Sequence, residues 1–210
     1  EDVLTVAKGR GVEVSMMLHD LIPLVTSAHV PMAVTEAFDL WLADSHKYVT
    51  RYLTVSANTA RDLQTYLQSK EMERPIHVTR LVQHFLPKLQ GLTGDVRDHV
   101  ANVTKYPYAM AVGTMETRKN NWSLAQAWVD LTKDPTLDPP RLIFAGTPGW
   151  MNDDFFRLMD ATGHLGGWAQ IIERPTDVEL AHLYRNCAFT AFPSFYEGWG
   201  LPVGESLSFG

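Results

Sequence analysis

The chain has 210 residues, of which 45% are hydrophobic and 20% charged, as in ordinary globular proteins. Its formal net charge of −6 argues against a nucleic-acid partner, because binding to a phosphate backbone depends on clustered Lys and Arg. Neither a membrane span nor a signal segment is recognisable, and the single cysteine, Cys187, excludes an internal disulfide, so we expect a cytoplasmic location.

Apolar runs of strand length alternate with helical patterns in the first half of the chain. This alternation is typical of a mostly parallel sheet with crossover helices. The first predicted strand ends in the polar turn HDLIP, which starts at His19. The predicted elements are strands over 12–18, 51–56 and 76–81, a helix over 33–47, and a helix capped by Ser56 with Ala60, Leu63 and Leu67 on one face.

A second alternating series follows a polar, turn-rich stretch over 87–107. We predict a linker at 91–106, between a partial N-terminal domain over 1–90 and a C-terminal domain over 107–210. Two α/β halves joined by a linker predict a cleft between them. The second series comprises strands over 108–113, 141–146, 169–173 and 187–192. Four helices alternate with these strands: one has an apolar face of Leu124, Ala127, Trp128 and Leu131, the second lies over 152–161, the third has an apolar face of Leu180, Leu183, Tyr184 and Cys187, and the fourth lies over 201–209.

The loop VGTMETRKNN, residues 112–121, leaves the first strand of the second series. Ligands of open parallel sheets bind beyond the carboxyl ends of the strands. Arg118 and Lys119 in this loop could neutralise a diphosphate. The other interpretation is a solvated loop with two ordinary surface cations.

The turn PSFYEGWGLPVGES, residues 193–206, leads from a strand into a helix. Gly198 and Gly200 permit positive φ and close backbone approach, and Pro202 suits a first helical turn. The free N–H groups of such a helix start can bind phosphate. The alternative is a structural capping box formed by Ser194 and Glu197.

Other motifs of enzymatic chemistry are weak. His19 could hydrogen-bond a sugar hydroxyl or a phosphate. The fingerprints GxGxxG, GxxxxGK[ST] and GxSxG are absent, and no histidine has metal-ligand spacing. The acidic pair Asp153–Asp154 is interpreted as a helix cap.

Three segments of the second half follow one another in a familiar order and spacing: YAMAVGTMETRKNNWSLAQAW, RLIFAG and TDVELAHLYRNCAFTAFPSFYEGWGLPVGES. They resemble the C-terminal half of a family 4 retaining glycosyltransferase of the GT-B fold. HDLIP and LTVSANTARDL resemble, more loosely, the later part of its N-terminal half. The fold that this implies is α/β, with two Rossmann-like domains facing a cleft, and both domains are expected to be incomplete in this chain. Family members are usually nearly twice as long, so most of the acceptor surface is expected to be missing.

The resemblance assigns roles to particular residues. Arg118 and Lys119 would hold the donor diphosphate, although Thr114 stands after Gly113 where many relatives carry a basic residue. Glu197 and Glu205, the E-x7-E signature, would bind the sugar hydroxyls and the ribose respectively. His19 would approach the transferred sugar. The donor-binding set comprises Gly113, Thr114, Arg118, Lys119, Gly198, Trp199, Gly200, Leu201 and Glu205, and the catalytic set comprises His19 and Glu197.

The implied activity is transfer of a hexose from a nucleotide diphosphate sugar to a saccharide or lipid-linked acceptor, with retention at the anomeric carbon. The resemblance implies no cofactor and no divalent metal, and leaves peripheral contact of the missing part with the inner membrane face open. The alternative is a non-catalytic nucleotide-sugar-binding domain, and a weaker one is a phosphorylase of the same general fold. Labelled sugar on an acceptor would separate transfer from binding.

Overall fold

The computed structural model describes residues 3–81 and 91–210. They form two compact units, one of residues 3–81 with Tyr196–Trp199, the other of residues 91–195 with Gly200–Gly210. Residues 82–90, which hold the end of the predicted N-terminal domain and the start of the polar stretch, lie outside the described residues.

The first unit is built on a parallel sheet with the strand order β1-β2-β3, and its core includes Leu18, Leu42 and Tyr52. The predicted strands are confirmed, but each is shorter than its apolar run. The elements are α1 (Val3–Gly9), β1 (Ser15–Leu18), α2 (Ile22–Val25), a 3₁₀ turn (Ser27–His29), α3 (Met32–Ser45), β2 (Arg51–Thr54), α4 (Ala57–Ser69) and β3 (Ile76–Val78).

Helix α4 begins as the sequence predicts. Ser56 is its N-cap, and the Ser56 hydroxyl accepts a hydrogen bond from the Thr59 N–H at 3.0 Å. Leu63 and Leu67 are buried in the core of the first unit. The cap satisfies one of the N–H groups that a helix start leaves without an intrahelical partner.

The second unit is built on a parallel sheet with the strand order β6-β5-β4-β7. The predicted strands over 141–146 and 169–173 and the helix over 201–209 are confirmed to the residue. The elements are α5 (Asp98–Val103), β4 (Tyr108–Val112), a 3₁₀ turn (Thr117–Lys119), α6 (Asn121–Lys133), β5 (Arg141–Gly146), α7 (Asp153–Ala161), the short turn α8 (Gly163–Gly166), β6 (Ala169–Glu173), α9 (Asp177–Asn186), β7 (Phe189–Thr190) and α10 (Leu201–Phe209).

Both faces of this second sheet are buried. Alternate residues of β4 enter different cores: Ala109 and Ala111 pack on the face covered by α6 and α7, and Tyr108 and Met110 on the opposite face. A parallel strand covered on both sides reads as a continuous apolar run. This explains why the sequence predicted β4, β5 and β6 well.

Three local features differ from the sequence prediction. Helix α5 lies in the stretch predicted as a linker, and its Val100 and Val103 are buried in a core of the second unit. On α6 it is Ala125 that is buried, while Ala127 is exposed. β7 has only two residues, Phe189 and Thr190, although the Ala191 N–H still donates to the Met110 carbonyl at 2.8 Å.

Within residues 3–81 and 91–210, no helix is long and apolar enough to cross a membrane.

Candidate active site

The carboxyl edge of the second sheet contains a crevice position between β4 and β7. These strands are neighbours in the sheet although β5 and β6 separate them in sequence. Helix α6, which follows β4, packs on one face of the sheet, and α10, which follows β7, packs on the other. Because the chain leaves the two strands towards opposite faces, this is the switch point at which open α/β sheets bind ligands.

Gly113 and Lys119 meet on the β4 side of this crevice. Gly113 has a φ of +140°, a conformation that favours glycine. A Cβ on Gly113 would lie 3.2 Å from Cε and 3.3 Å from Nζ of Lys119. The lysine side chain therefore lies directly over the end of β4, in space that a larger residue would restrict.

The loops that follow β4 and β7 are hydrogen-bonded to each other. The Asn120 side-chain amide donates to the Pro193 carbonyl at 3.3 Å, and the Phe195 N–H donates to the Arg118 carbonyl at 3.0 Å. These two bonds fix the two sides of the crevice together.

Phe192 lies between the lysine and the start of α10. The Lys119 ammonium is 5.5 Å from the centroid of the Phe192 ring, and a Cβ on Gly200 would contact that ring at 3.4 Å. The Phe192 ring thus contacts both a cation and a helix N-terminus, and each of these groups attracts an anion.

Helix α10 begins without a side-chain cap. Its N-cap residue is Gly200, with φ 83° and ψ 55°, and Pro202 lies in its first turn. Positive φ at Gly200 and the helix-starting proline are confirmed. The alternative capping box of Ser194 and Glu197 is wrong, because the helix starts only at Leu201, beyond the reach of that pair.

Arg118 is not directed to solvent. It is 5% exposed and donates from its guanidinium to the buried carboxylate of Glu116. The interpretation of this loop as one with two solvated surface cations therefore fails for Arg118. Thr114 is exposed on the same loop, and its methyl carbon would lie 2.8 Å from a Cβ on Gly149.

Glu205 lies in the second turn of α10 and is half-buried. Its carboxylate accepts a hydrogen bond from the Tyr184 phenol at 2.8 Å. Burial, with the negative charge of Glu205 beside it, raises the pKa of the Tyr184 phenol, which therefore remains a donor. This bond orients the carboxylate and leaves it with further capacity to accept hydrogen bonds.

The remaining predicted residues belong to the first unit. His19 follows β1 and is exposed. Gly198 does not have positive φ; instead a Cβ there would lie 2.1 Å from the His19 carbonyl oxygen, so close backbone approach requires the glycine. Glu197 is half-buried, and the half-buried Trp199 has an indole N–H without a hydrogen-bond acceptor among the described residues.

The described residues contain no group of three or more His, Cys, Asp or Glu side chains that could hold a metal ion. Asp153 and Asp154 are the first two residues of α7 rather than its cap, which is Asn152. The Asn152 amide donates to the Met115 carbonyl at 2.9 Å and so holds the β4 loop.

Sequence reasoning missed Phe192, Asn120 and Glu116. Asn120 has a left-handed conformation at the N-cap of α6, with φ 58°, which asparagine tolerates better than most residues. The adjacent asparagines of the RKNN motif were the available signal. Phe192 carried a weaker one, since it ends an apolar run immediately before a proline.

Comparison with protein-family models gives a match over residues 95–210 to the family described as glycosyl transferases group 1. The chain belongs to this family. The match covers the whole second unit apart from its first residues, including the crevice between β4 and β7.

Curated relatives of this glycosyltransferase chain are enzymes of Escherichia coli. The O-antigen chain mannosyltransferase B is 39% identical over 103 residues, which are 49% of this chain and 26% of that protein. A serotype-specific mannosyltransferase WbdA is 23% identical over 208 residues, 95% of this chain and 25% of that protein. The aligned part therefore spans about a quarter of the length of each relative.

Solved structures share the fold at low sequence identity. The alpha,alpha-trehalose 6-phosphate synthase of Burkholderia multivorans has a TM-score of 0.71 and 11% identity over 98% of this chain and 51% of that chain. The sucrose-phosphate synthase of Thermosynechococcus elongatus has a TM-score of 0.64 and 16% identity, over 95% of this chain and 50% of that chain. The HepE protein of Anabaena, in complex with UDP-glucose, has a TM-score of 0.65 and 14% identity, over 98% of this chain and 54% of that chain. The expected Rossmann-like α/β fold of GT-B glycosyltransferases is confirmed.

Proposed function

We propose that the second unit binds the donor, a nucleotide diphosphate sugar, and that the protein transfers the hexose to a saccharide or lipid-linked acceptor with retention. The observation that carries this proposal is the position of Lys119 and the α10 N-terminus on one ring, Phe192, at the switch point of the second sheet. Both groups stabilise negative charge, and the β4 and β7 loops hold them in place before any ligand arrives.

The chemistry that suits this arrangement is departure of a diphosphate. The bond between the anomeric carbon and the diphosphate oxygen breaks while the acceptor oxygen bonds to that carbon, so negative charge grows on the departing diphosphate. The Lys119 ammonium and the backbone N–H groups around Gly200 and Leu201 would stabilise that charge. Arg118 would contact the diphosphate from the same loop, with Glu116 fixing the position of its guanidinium. The acceptor hydroxyl would then be deprotonated largely by the leaving phosphate, and no metal would be required.

The two glutamates of the signature would bind different parts of the donor. We assign the ribose hydroxyls to Glu205, whose carboxylate Tyr184 already orients. We assign the hydroxyls of the transferred sugar to Glu197, and a further contact with that sugar to His19. The relatives named as mannosyltransferases favour mannose as the hexose.

The experiment is a calorimetric titration of the chain with guanosine, uridine and adenosine diphosphates and with their bare nucleosides. Lys119→Ala should weaken binding of the tightest-binding diphosphate by at least about tenfold, because a charge-assisted hydrogen bond contributes ~1.5–3 kcal/mol. The affinity for the corresponding nucleoside should change little. The matched control is Lys133→Ala, on the exposed end of α6, where the lysine is 3.4 Å from Asp130; this variant should bind like the parent.

Equal losses for nucleoside and diphosphate would contradict the role of Lys119. Transfer itself is tested by following labelled mannose from the intact donor to a saccharide acceptor with the full-length protein. Donor binding without any transfer would favour the non-catalytic alternative.

A further inference from the structure

A second cavity lies at the opposite edge of the second sheet. Its volume is about 590 Å³, within the ~300–1,000 Å³ of typical small-molecule sites. Residues that precede or begin four parallel strands line it, among them Tyr106, Arg141, Trp168 and Phe189. It therefore opens at the amino ends of the strands, whereas the donor crevice lies at their carboxyl ends. With β5 six residues long and a rise of about 3.3 Å per residue, the two edges are roughly 20 Å apart.

The walls of this cavity present aromatic and aliphatic ring faces to solvent. Tyr106 is 52% exposed and Phe189 is 49% exposed. Trp168, Pro139 and Pro140 complete an apolar lining. Soluble proteins rarely leave several large rings exposed around one concave site unless something covers them.

The cavity also has a small number of polar groups. Asp138 lines it, and the structure gives its carboxylate no hydrogen-bond or ion-pair partner among the described residues. The Arg141 guanidinium carbon lies over the Tyr106 ring, 4.0 Å from its centroid, in a cation–π contact. The guanidinium and the carboxylate balance in charge, so the cavity favours neither an anion nor a cation.

We propose that this cavity binds a neutral saccharide, and that it serves as an accessory site for the sugar chain on which the enzyme acts. A pyranose has an apolar C–H face that stacks on an aromatic ring and hydroxyl groups that hydrogen-bond to a carboxylate and a guanidinium. The exposed rings of Tyr106 and Phe189 together with Asp138 and Arg141 supply both kinds of contact.

This inference rests on the proposed function for the identity of the sugar. Because the sheet separates the cavity from the donor crevice, the bound segment is neither the donor sugar nor the reacting end of the acceptor. It would be a part of the saccharide several residues from that end. Binding there would keep a growing chain on the enzyme between successive transfers.

The test is a titration of the chain with a linear mannose tetrasaccharide, in which saturation-transfer NMR detects binding. Guanosine diphosphate is titrated in parallel. The parent protein should bind the tetrasaccharide. Tyr106→Ala and Phe189→Ala should each weaken this binding by roughly tenfold, or about 1.4 kcal/mol, because each removes a ring on which the sugar stacks. Trp41→Ala removes an aromatic residue that is 46% exposed on the first unit, and it should have no effect.

A further variant fills the cavity without touching its rings. Ala188 lines the cavity and is exposed, so Ala188→Leu should block the tetrasaccharide while the melting temperature stays within about 2 °C of the parent. All these variants should bind the nucleotide like the parent.

Failure of the parent to bind the tetrasaccharide while it binds the nucleotide would overturn this inference and leave the proposed function standing. Undiminished tetrasaccharide binding in the cavity variants would overturn it as well. Self-association of the parent, measured by sedimentation and removed by the same variants, would overturn it if no saccharide bound, because the rings would then cover a protein contact.

Discussion

Helices α9 and α10 differ in how their first turns are satisfied. In α9 the Glu179 N–H donates to the Thr176 hydroxyl at 3.2 Å, and the Thr176 N–H donates to the Glu179 carboxylate at 2.9 Å, a complete capping box. α10 begins at Gly200 without any side-chain cap. α9 thus supplies side-chain acceptors at its own start, whereas α10 supplies none, although its Val203 N–H donates to the Gly200 carbonyl at 3.1 Å.

A glutamate in each helix shows the same contrast. Glu179 is 1% exposed and accepts hydrogen bonds from the Arg97 guanidinium at 2.6 and 2.9 Å and from the Arg97 N–H at 3.1 Å. Glu205 is half-buried and accepts from the Tyr184 phenol. The fold uses the first carboxylate fully, while the second retains the capacity to bind a ligand. Of the two glutamates, the one with more hydrogen bonds inside the protein is therefore the structural one.

Replacing Glu179 should have the largest effect on stability. Glu179→Ala removes the acceptor of the Arg97 guanidinium and of two backbone N–H groups, so we expect a loss of about 3 kcal/mol in the free energy of unfolding. Urea denaturation measures this loss. The control is Asp177→Ala in the same turn, an exposed carboxylate that should cost less than about 0.5 kcal/mol.

The difference in unfolding free energy between the parent and Glu179→Ala should depend on pH. Hydrogen bonds from Arg97, the main cause, lower the pKa of Glu179 to about 2 from its ordinary 4.5. A lowered carboxylate pKa stabilises the folded state above the unfolded pKa, and this contribution disappears as pH falls towards the folded one. The stability gap between the parent and Glu179→Ala should therefore be constant above about pH 5 and narrow between pH 4.5 and 2. A gap that is independent of pH would show that the charge of Glu179 is not what stabilises α9.

An intermediate effect, on binding rather than stability, should follow from Glu205→Gln. The amide keeps an oxygen for the Tyr184 phenol but loses the charge, so the melting temperature should change little. Affinity for the nucleoside diphosphate should fall by roughly tenfold if Glu205 holds the ribose. Glu197→Gln is the matched variant, and it should leave diphosphate binding intact while strongly reducing transfer by the full-length protein. A large stability loss in Glu205→Gln with unchanged binding would place Glu205 with Glu179 as a structural residue.

The smallest expected effect separates the real helix cap from the one that the sequence pattern suggested. Thr176→Ala should cost about 1 kcal/mol in stability, because it removes the hydroxyl of the capping box. Ser194→Ala should change the unfolding free energy by less than about 0.5 kcal/mol, because the N-cap of α10 is Gly200. Urea denaturation of both variants tests this, and an equal loss in the two proteins would contradict the contrast between the helices.

The sequence by itself determined the elements whose signals are local or continuous. The strands over 141–146 and 169–173 are buried on both faces of a parallel sheet, so every residue contributes to one apolar run. Ser56 and Pro202 mark helix starts by chemistry that acts within one turn. The resemblance to glycosyltransferases likewise rested on short motifs that a single sequence carries, and the family match over 95–210 confirms it.

Only the tertiary structure decided which polar and small residues are used by the fold. The Asp98–Val103 segment was predicted as part of a linker because the stretch around it, 87–107, is polar and turn-rich. Burial of Val100 and Val103 against distant strands nevertheless stabilises it as a helix. Arg118 reads as a surface cation until its pairing with Glu116 is known, and Gly198 reads as a positive-φ glycine until its approach to the His19 carbonyl is known. In each case the deciding contact joins groups through the folded backbone geometry rather than through a sequence pattern, and spacing along one chain does not encode that geometry.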